Sequence, residues 1–153
     1  MLDFKRVFRA AIVPAALSLT ALTLTSLPAG AAEPVRVGEI NSYTGLPAFT
    51  IPYRQGWELA VEEINAKGGV LGGRMLEVIS RDDAGRPDDA IRVANELVSN
   101  EKVDLLAGTY FSHIGLAVSD YALRSKKVFV AAEPLTDAIT WDKGNRYTFR
   151  LRP

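Results

Sequence analysis

The sequence predicts an α/β fold built on a parallel sheet. Two observations predict it: short apolar runs alternate with amphipathic helical patterns, and polar or glycine-containing loops separate the two kinds of segment. The chain has 153 residues, of which 48% are hydrophobic and 24% charged, so it has a single-domain length and can bury a core. We expect a β-α-β-α-β-α-β series with right-handed crossovers and with any ligand bound beyond the carboxyl ends of the strands.

The first strand is predicted over residues 35–40, followed by a polar loop over residues 41–53. A helix follows from Gly56 and ends at Gly68-Gly69, because glycine readily adopts the left-handed conformation of a helix terminus. Apolar residues recur there at i, i+3, i+4 and i+7, which predicts an inward face made of Trp57, Ala60, Val61 and Ile64.

The second strand is predicted over residues 75–80, with a loop over residues 81–86. Pro87 suits the first position of a helix, and Asp88 and Asp89 suit its positive end. The buried stripe of this helix is predicted to be Ala90, Ile91, Ala94, Leu97 and Val98.

The remaining elements are a strand over residues 103–107, a helix over 114–124, a strand over 128–132 and the start of a further strand at 147–151. The inward residues of that helix are predicted to be Ile114, Ala117, Val118 and Tyr121. Because the chain stops just after an apparent strand, we expect an incomplete domain.

The first 31 residues predict a cleavable secretory signal. Lys5, Arg6 and Arg9 precede an apolar stretch over residues 10–27, and small residues lead to a cleavage site after Ala31. An uncleaved membrane anchor stays open as the alternative. The mature protein would then be residues 32–153, and its lack of cysteine suits a bacterial periplasmic protein without disulfides.

Composition and motifs exclude several functions. Residues 1–31 hold three basic residues and one acidic residue, so the remainder holds 15 basic and 17 acidic residues, which gives no basic field for nucleic acid. There is no P-loop, the Gly68-to-Gly73 glycines follow a helix instead of a strand, and a single histidine with no cysteine disfavours a transition-metal site. We therefore expect no cofactor.

Several short segments together resemble the branched-chain amino-acid-binding (leucine-binding-like) family of periplasmic solute-binding proteins. They are Thr44-Gly45, Ala60-Val61-Glu62-Glu63-Ile64-Asn65-Ala66-Lys67-Gly68-Gly69, Leu71-Gly72-Gly73, Arg81-Asp82-Asp83 and Ala94-Asn95-Glu96-Leu97-Val98. The resemblance implies a type I periplasmic-binding fold, in which two Rossmann-like lobes close on a solute. Residues 32–153 would form part of the amino-terminal lobe.

The resemblance also implies a non-catalytic function. The protein would be the periplasmic substrate-binding component of an ABC importer, would bind a small carboxylate-bearing solute such as an amino acid or related organic acid, and would deliver it to an inner-membrane ABC permease. The alternatives are a ligand-sensing receptor ectodomain and a non-functional truncated fragment. A hydrolase using Ser112 and His113 is disfavoured because Tyr110 stands where a nucleophile elbow needs glycine, and because adjacent helical residues do not face each other.

By the same resemblance, Ser112 is placed at a helix start that receives the ligand carboxylate, where free N–H groups attract an anion. Ordinary helix capping by Ser112 is the alternative. Phe49 falls near the position of an aromatic residue that covers the solute, and Tyr110 and His113 are further candidates for lining the cleft.

The loop after the fourth strand departs from the family pattern. Leu135 stands by spacing where the family commonly has a threonine that meets the ligand ammonium, and Thr136 follows it. Glu133 is a candidate partner for a cationic group, or else a solvated loop acid. This departure weighs against an α-amino-acid ligand.

Overall fold

A computed structural model describes residues 32–152 of the chain. The predicted secretory signal, residues 1–31, lies outside this range. Within residues 32–152, no helix has both the length and the apolar content needed to cross a membrane.

Strands and helices alternate along the described chain. In order they are β1 (Val35–Asn41), α1 (Pro47–Ala66), β2 (Leu76–Asp82), α2 (Pro87–Ser99), β3 (Leu105–Gly108), α3 (Ser112–Ser125), β4 (Val128–Ala131), a short 3₁₀ helix (Asp137–Ile139) and β5 (Thr148–Arg150).

The strands form one parallel sheet in the order β2-β1-β3-β4-β5. The predicted α/β class is confirmed, and the segment near residues 147–151 contributes the fifth strand. Strand order reverses direction between β1 and β3, since β2 lies on one side of β1 and β3 on the other. Such a switch point opens a crevice between the loops that follow its two strands, which is where open α/β sheets bind ligands.

The predicted loop over residues 41–53 is wrong, because α1 already begins at Pro47. Pro47 occupies a first helical position, where its missing N–H has no intrahelical partner to lose. Pro52 lies inside the helix, where it removes only one N–H donor, and the helix continues through it. Phe49 therefore stands on a rigid helix and not on a flexible loop. Similarly, β2 runs through Asp82, so the loop predicted from residue 81 starts too early.

One face of the sheet carries the core. Ile40, Leu106 and Phe129 are fully buried on it against α2 and α3. In α2, Val93 is buried although it was not predicted to be, whereas Ile91 and Val98 are half-buried, with Val98 packed against the core. In α3, Gly115, Ser119 and Ala122 are buried as well, whereas Ala117 and Tyr121 are half-buried, with Tyr121 packed against the core. At Gly115 the small residue is needed because a Cβ atom there would lie 2.6 Å from Cγ of Pro134.

The other face is only partly covered. Side chains alternate across a strand, so Glu39 and Ser80 lie on the face opposite Ile40, and α1 packs over them. Trp57, Val61 and Ile64 of α1 are half-buried, whereas Ala60 is exposed, contrary to the predicted inward face.

Beyond α1, the same face of β3, β4 and β5 is open within the described residues. Val128 is 39% exposed and Phe149 is 56% exposed, in a row that also includes the half-buried Leu105 and Val130. An apolar sheet face of this kind favours association with other surfaces.

We expect residues 32–153, produced alone, to melt without a sharp cooperative transition and to bind a hydrophobic dye, because this face meets water. Circular dichroism during heating and dye fluorescence would measure both properties. Phe149→Lys should reduce dye binding, while Leu71→Lys, at an exposed turn outside the sheet, should not. A sharp melt with no dye binding would contradict the expectation.

Candidate functional site

A cavity of about 280 Å³ opens at the carboxyl edge of the sheet. Four segments form it: the start of α1, the loop between β3 and α3, the loop after β4, and the chain that follows β5. Its lining residues are Phe49, Tyr110, Phe111, Ser112, Glu133, Leu135 and Arg152.

A left-handed turn at the end of β3 sets the direction of the first wall. Gly108 has φ +103°, and a Cβ atom there would lie 2.4 Å from the carbonyl oxygen of Ile40, so only glycine fits. Thr109 also has a positive φ, 63°, and its N–H donates to that same oxygen at 2.6 Å. The turn holds β3 against β1 and carries the chain directly into Tyr110, Phe111 and Ser112.

A second close approach positions the loop after β4. A Cβ atom on Gly115, in the first turn of α3, would lie 2.6 Å from Cγ of Pro134. Without a side chain at Gly115, Pro134 packs directly on the helix and is buried. Its two neighbours, Glu133 and Leu135, are thereby brought to the same cavity as Ser112.

Aromatic rings make up much of the wall. The ring centroids of Phe49 and Tyr110 are 5.6 Å apart with a 40° tilt, and those of Tyr110 and Phe111 are 5.3 Å apart, edge to face. Both are favourable aromatic geometries. Phe49 nevertheless remains 56% exposed, so most of its surface is free to contact something else.

Ser112 is the first residue of α3, and Phe111 is the N-cap residue, with no side-chain capping hydrogen bond. The alternative that Ser112 caps the helix is therefore wrong. The first N–H groups of a helix have no intrahelical partners, so the start of α3 presents hydrogen-bond donors, a hydroxyl and a partial positive charge at the cavity.

Glu133 lines the cavity together with Arg152. Burial raises the pKa of Glu133 above its usual value, and this outweighs the opposing effects of a hydrogen bond from Asn41 and the charge of Arg152. Nδ2 of Asn41 donates to Oε2 of Glu133 at 3.4 Å. Since Asn41 ends β1 and is fully buried, Glu133 is tied to the central strand and is not a free loop acid.

Two of the predicted site residues lie outside the cavity lining. His113 is exposed, and its ring stacks on Phe111 at a centroid distance of 5.5 Å. The hydroxyl of Thr136 accepts from N–H of Ala138 at 3.4 Å and caps the 3₁₀ helix. The structure thus brings together Phe49, Tyr110, Ser112 and Glu133 of the predicted set.

The sequence did not single out three of the lining residues. Phe111 could have been predicted to line the cavity because it is adjacent to Ser112 in the sequence. Leu135 was noted only as a departure from a pattern. Arg152 gave no signal, because its place depends on β5 pairing beside β4.

A cluster of polar side chains joins α1 to β1 and β2. Oε2 of Glu39 accepts from the hydroxyls of Ser80 at 2.6 Å and Tyr43 at 2.9 Å, and Arg54 donates to Oγ of Ser80 at 2.9 Å. The guanidinium of Arg54 also lies 3.9 Å from the centroid of the Tyr43 ring, a cation–π contact. This cluster fastens α1, and with it Phe49, to β1 and β2.

Burial raises the pKa of Glu39 to about 7, against the lowering effects of its hydrogen bonds from Ser80 and Tyr43 and of the Arg54 charge. Glu39 is 2% exposed, and its Oε1 has no hydrogen-bond partner among the described residues.

Known proteins are similar to this chain in both sequence and fold. Residues 34–153 match the family described as "Periplasmic binding protein". Leu/Ile/Val-binding protein homolog 7 of Brucella suis biovar 1 (strain 1330) is 34% identical over 139 residues, which cover 88% of this chain and 34% of that protein.

Solved structures agree. The branched-chain amino acid transporter substrate binding protein LivJ of Streptococcus pneumoniae, in complex with isoleucine, superposes with a TM-score of 0.71 and 28% identity over 77% of this chain and 33% of its own. A solute binding protein of an ABC transporter from Rhodopseudomonas palustris BisB5, in complex with 3,4-dihydroxybenzoic acid, superposes with a TM-score of 0.64 and 31% sequence identity. The match covers 75% of this chain and 31% of that protein.

The chain belongs to the leucine-binding-like periplasmic binding proteins, and its parallel sheet with helices matches part of the type I fold that the resemblance implied. It spans about a third of the length of these relatives. The relatives are named as binding proteins and not as enzymes.

We expect Gly108→Ala to lower the stability of the full-length protein by about 1–3 kcal/mol, because alanine is strained at this φ and its Cβ meets the Ile40 carbonyl. Gly56→Ala is the matched control: nothing lies within 4 Å of a Cβ there, and the change should stabilise α1 by about 0.5–1 kcal/mol. Melting temperatures would show the opposite shifts. Equal shifts for the two variants would refute the role given to Gly108.

We also expect Glu39 to make stability depend on pH. Its folded pKa, about 7, lies above the ordinary value of 4.5, so the folded state holds a proton that the unfolded state releases between these values. Its contribution is present below the unfolded pKa and is lost as pH rises to about 7, a loss of at most about 3 kcal/mol.

The test is urea unfolding of the full-length protein at about pH 4, below the unfolded pKa, and at about pH 8, above the folded pKa. Glu39→Gln should flatten the pH dependence, while Glu58→Gln, at an exposed position of α1, should leave it unchanged. An unaltered profile in Glu39→Gln would show that this carboxyl does not titrate in the range.

Proposed function

We propose that the chain is part of the amino-terminal lobe of a periplasmic substrate-binding protein that serves an ABC importer and binds a small carboxylate-bearing solute. The observation that carries this proposal is the start of α3, where Ser112 and the unpaired N–H groups open on a cavity at the switch point of the sheet. A helix start of this kind holds an anion without a cationic side chain.

Charge and surface in the cavity favour such a solute. The donors at Ser112 suit a carboxylate, while Phe49, Tyr110 and Leu135 provide apolar surface for the rest of the molecule. The relatives support the same class, because isoleucine and 3,4-dihydroxybenzoic acid, which their structures contain, both carry a carboxylate. Binding, with no bond made or broken, is the activity that this arrangement supports.

The partner and the location follow from the relatives' role. Proteins named as substrate-binding components of ABC transporters support an inner-membrane permease as the partner. The charged and apolar pattern of residues 1–31 supports export to the periplasm, with cleavage after Ala31.

We expect Ser112→Ala to weaken solute binding by the full-length protein about 5- to 150-fold, which corresponds to about 1–3 kcal/mol for a lost buried hydrogen bond to a charged group. Isothermal titration calorimetry against amino acids and organic acids would measure it. Ser112→Thr keeps a hydroxyl and should retain most of the affinity. Ser99→Ala, at the exposed end of α2, is the matched control. Unchanged affinity in Ser112→Ala would remove this residue from the site.

The transport role has a separate test in cells. Deleting the gene should abolish high-affinity uptake of the solute found by calorimetry, and the wild-type gene should restore it while Ser112→Ala restores it only at higher solute concentration. Normal uptake in the deletion strain would contradict the role in import.

A further inference from the structure

Large apolar side chains remain open to solvent inside the cavity. Phe49 is 56% exposed and Leu135 is 61% exposed, although both are held in place by packed elements on either side of the switch point. Exposed apolar surface of this size on a fixed frame is characteristic of a surface that meets a ligand. The rings of Phe49 and Tyr110, 5.6 Å apart, add the tilted faces against which another ring packs favourably.

Polar groups in the cavity differ in what they accept or donate. The start of α3 offers donors, which suit a carboxylate. Glu133 lines the same cavity and offers an oxygen that can accept from a hydroxyl donor. The cavity therefore offers a donor end, a ring-lined wall and an acceptor.

An ammonium group meets one acidic side chain, Glu133, among the residues that line this cavity. It needs acceptors for three N–H bonds. Leu135 has none, and the hydroxyl of the next residue, Thr136, is engaged with N–H of Ala138. Glu133 already accepts from Asn41, and the positive charge of Arg152 acts on it within the same lining.

We propose that this cavity selects a hydroxylated aromatic carboxylate over an aliphatic α-amino acid, with the ring against Phe49, Tyr110 and Leu135, the carboxylate at Ser112 and the hydroxyl at Glu133. The inference rests on the proposed function, whose solute class it narrows.

The test is calorimetry of the full-length protein with three probes: 4-hydroxybenzoate, benzoate and leucine. We expect 4-hydroxybenzoate to bind at least about tenfold more tightly than leucine, and benzoate to bind more weakly than 4-hydroxybenzoate because it cannot donate to Glu133. Phe49→Leu keeps an apolar side chain but removes the ring, and it should weaken 4-hydroxybenzoate roughly two- to tenfold. Phe149→Leu, at an exposed ring on β5 outside the cavity, is the matched control.

A second variant changes the selectivity instead of the affinity alone. Leu135→Thr supplies the missing hydroxyl and should shift the ratio of the two affinities towards leucine, with an unchanged melting temperature as the check on folding. Tighter binding of leucine than of 4-hydroxybenzoate by the wild type would overturn this inference and leave the proposed function standing. Equal effects of Phe49→Leu and Phe149→Leu would overturn it as well. No binding of any amino acid or organic acid would overturn both.

Discussion

The backbone contact between Gly108 and the carbonyl of Ile40 is the constraint on which the site depends. It joins the ends of the two strands at the switch point, and it requires two successive residues with positive φ, Gly108 and Thr109. The strain at Thr109 persists because the N–H bond to Ile40 and the packing of α3 hold the turn in place. After this turn the chain forms the aromatic wall with Tyr110 and Phe111, and α3 begins at the next residue, Ser112. The close packing of Gly108 on the Ile40 carbonyl thus sets the position of the hydrogen-bond donors at Ser112.

The second wall depends on α1, and α1 is fastened by polar groups more than by apolar ones. Its residues facing the sheet are half-buried, whereas Glu39, Ser80, Tyr43 and Arg54 form a connected cluster beneath it. Each hydrogen bond in such a cluster has a required geometry, so the cluster fixes the orientation of the helix more closely than an apolar contact of equal area would. The cost is a buried carboxyl whose pKa is raised to about 7. The same arrangement positions Phe49 and places an acid with a raised pKa between α1 and the sheet.

The function follows from the site and not from the fold alone, because α/β sheets of this kind carry many activities. Helix donors at one end of the cavity, rings along it and an acid tied to β1 form a recognition surface, and the described residues place no nucleophile and base within hydrogen-bonding reach there. Membership of the periplasmic binding proteins agrees with this chemistry. Within the described residues, the same face of β3, β4 and β5 and the apolar side chains at the cavity are open to solvent.

Local sequence patterns determined the strand–helix alternation and the parallel sheet, because these depend on periodicity and turn residues near each other in the chain. The resemblance to a family of binding proteins pointed to Ser112, Phe49 and Tyr110, and the loop after β4 pointed to Glu133. Only the tertiary structure decided that α1 begins at Pro47, that His113 and Thr136 lie outside the cavity, and that Leu135 and Arg152 line it. Those outcomes depend on contacts between residues distant in sequence, such as Gly115 with Pro134 and β5 with β4, which no local pattern records.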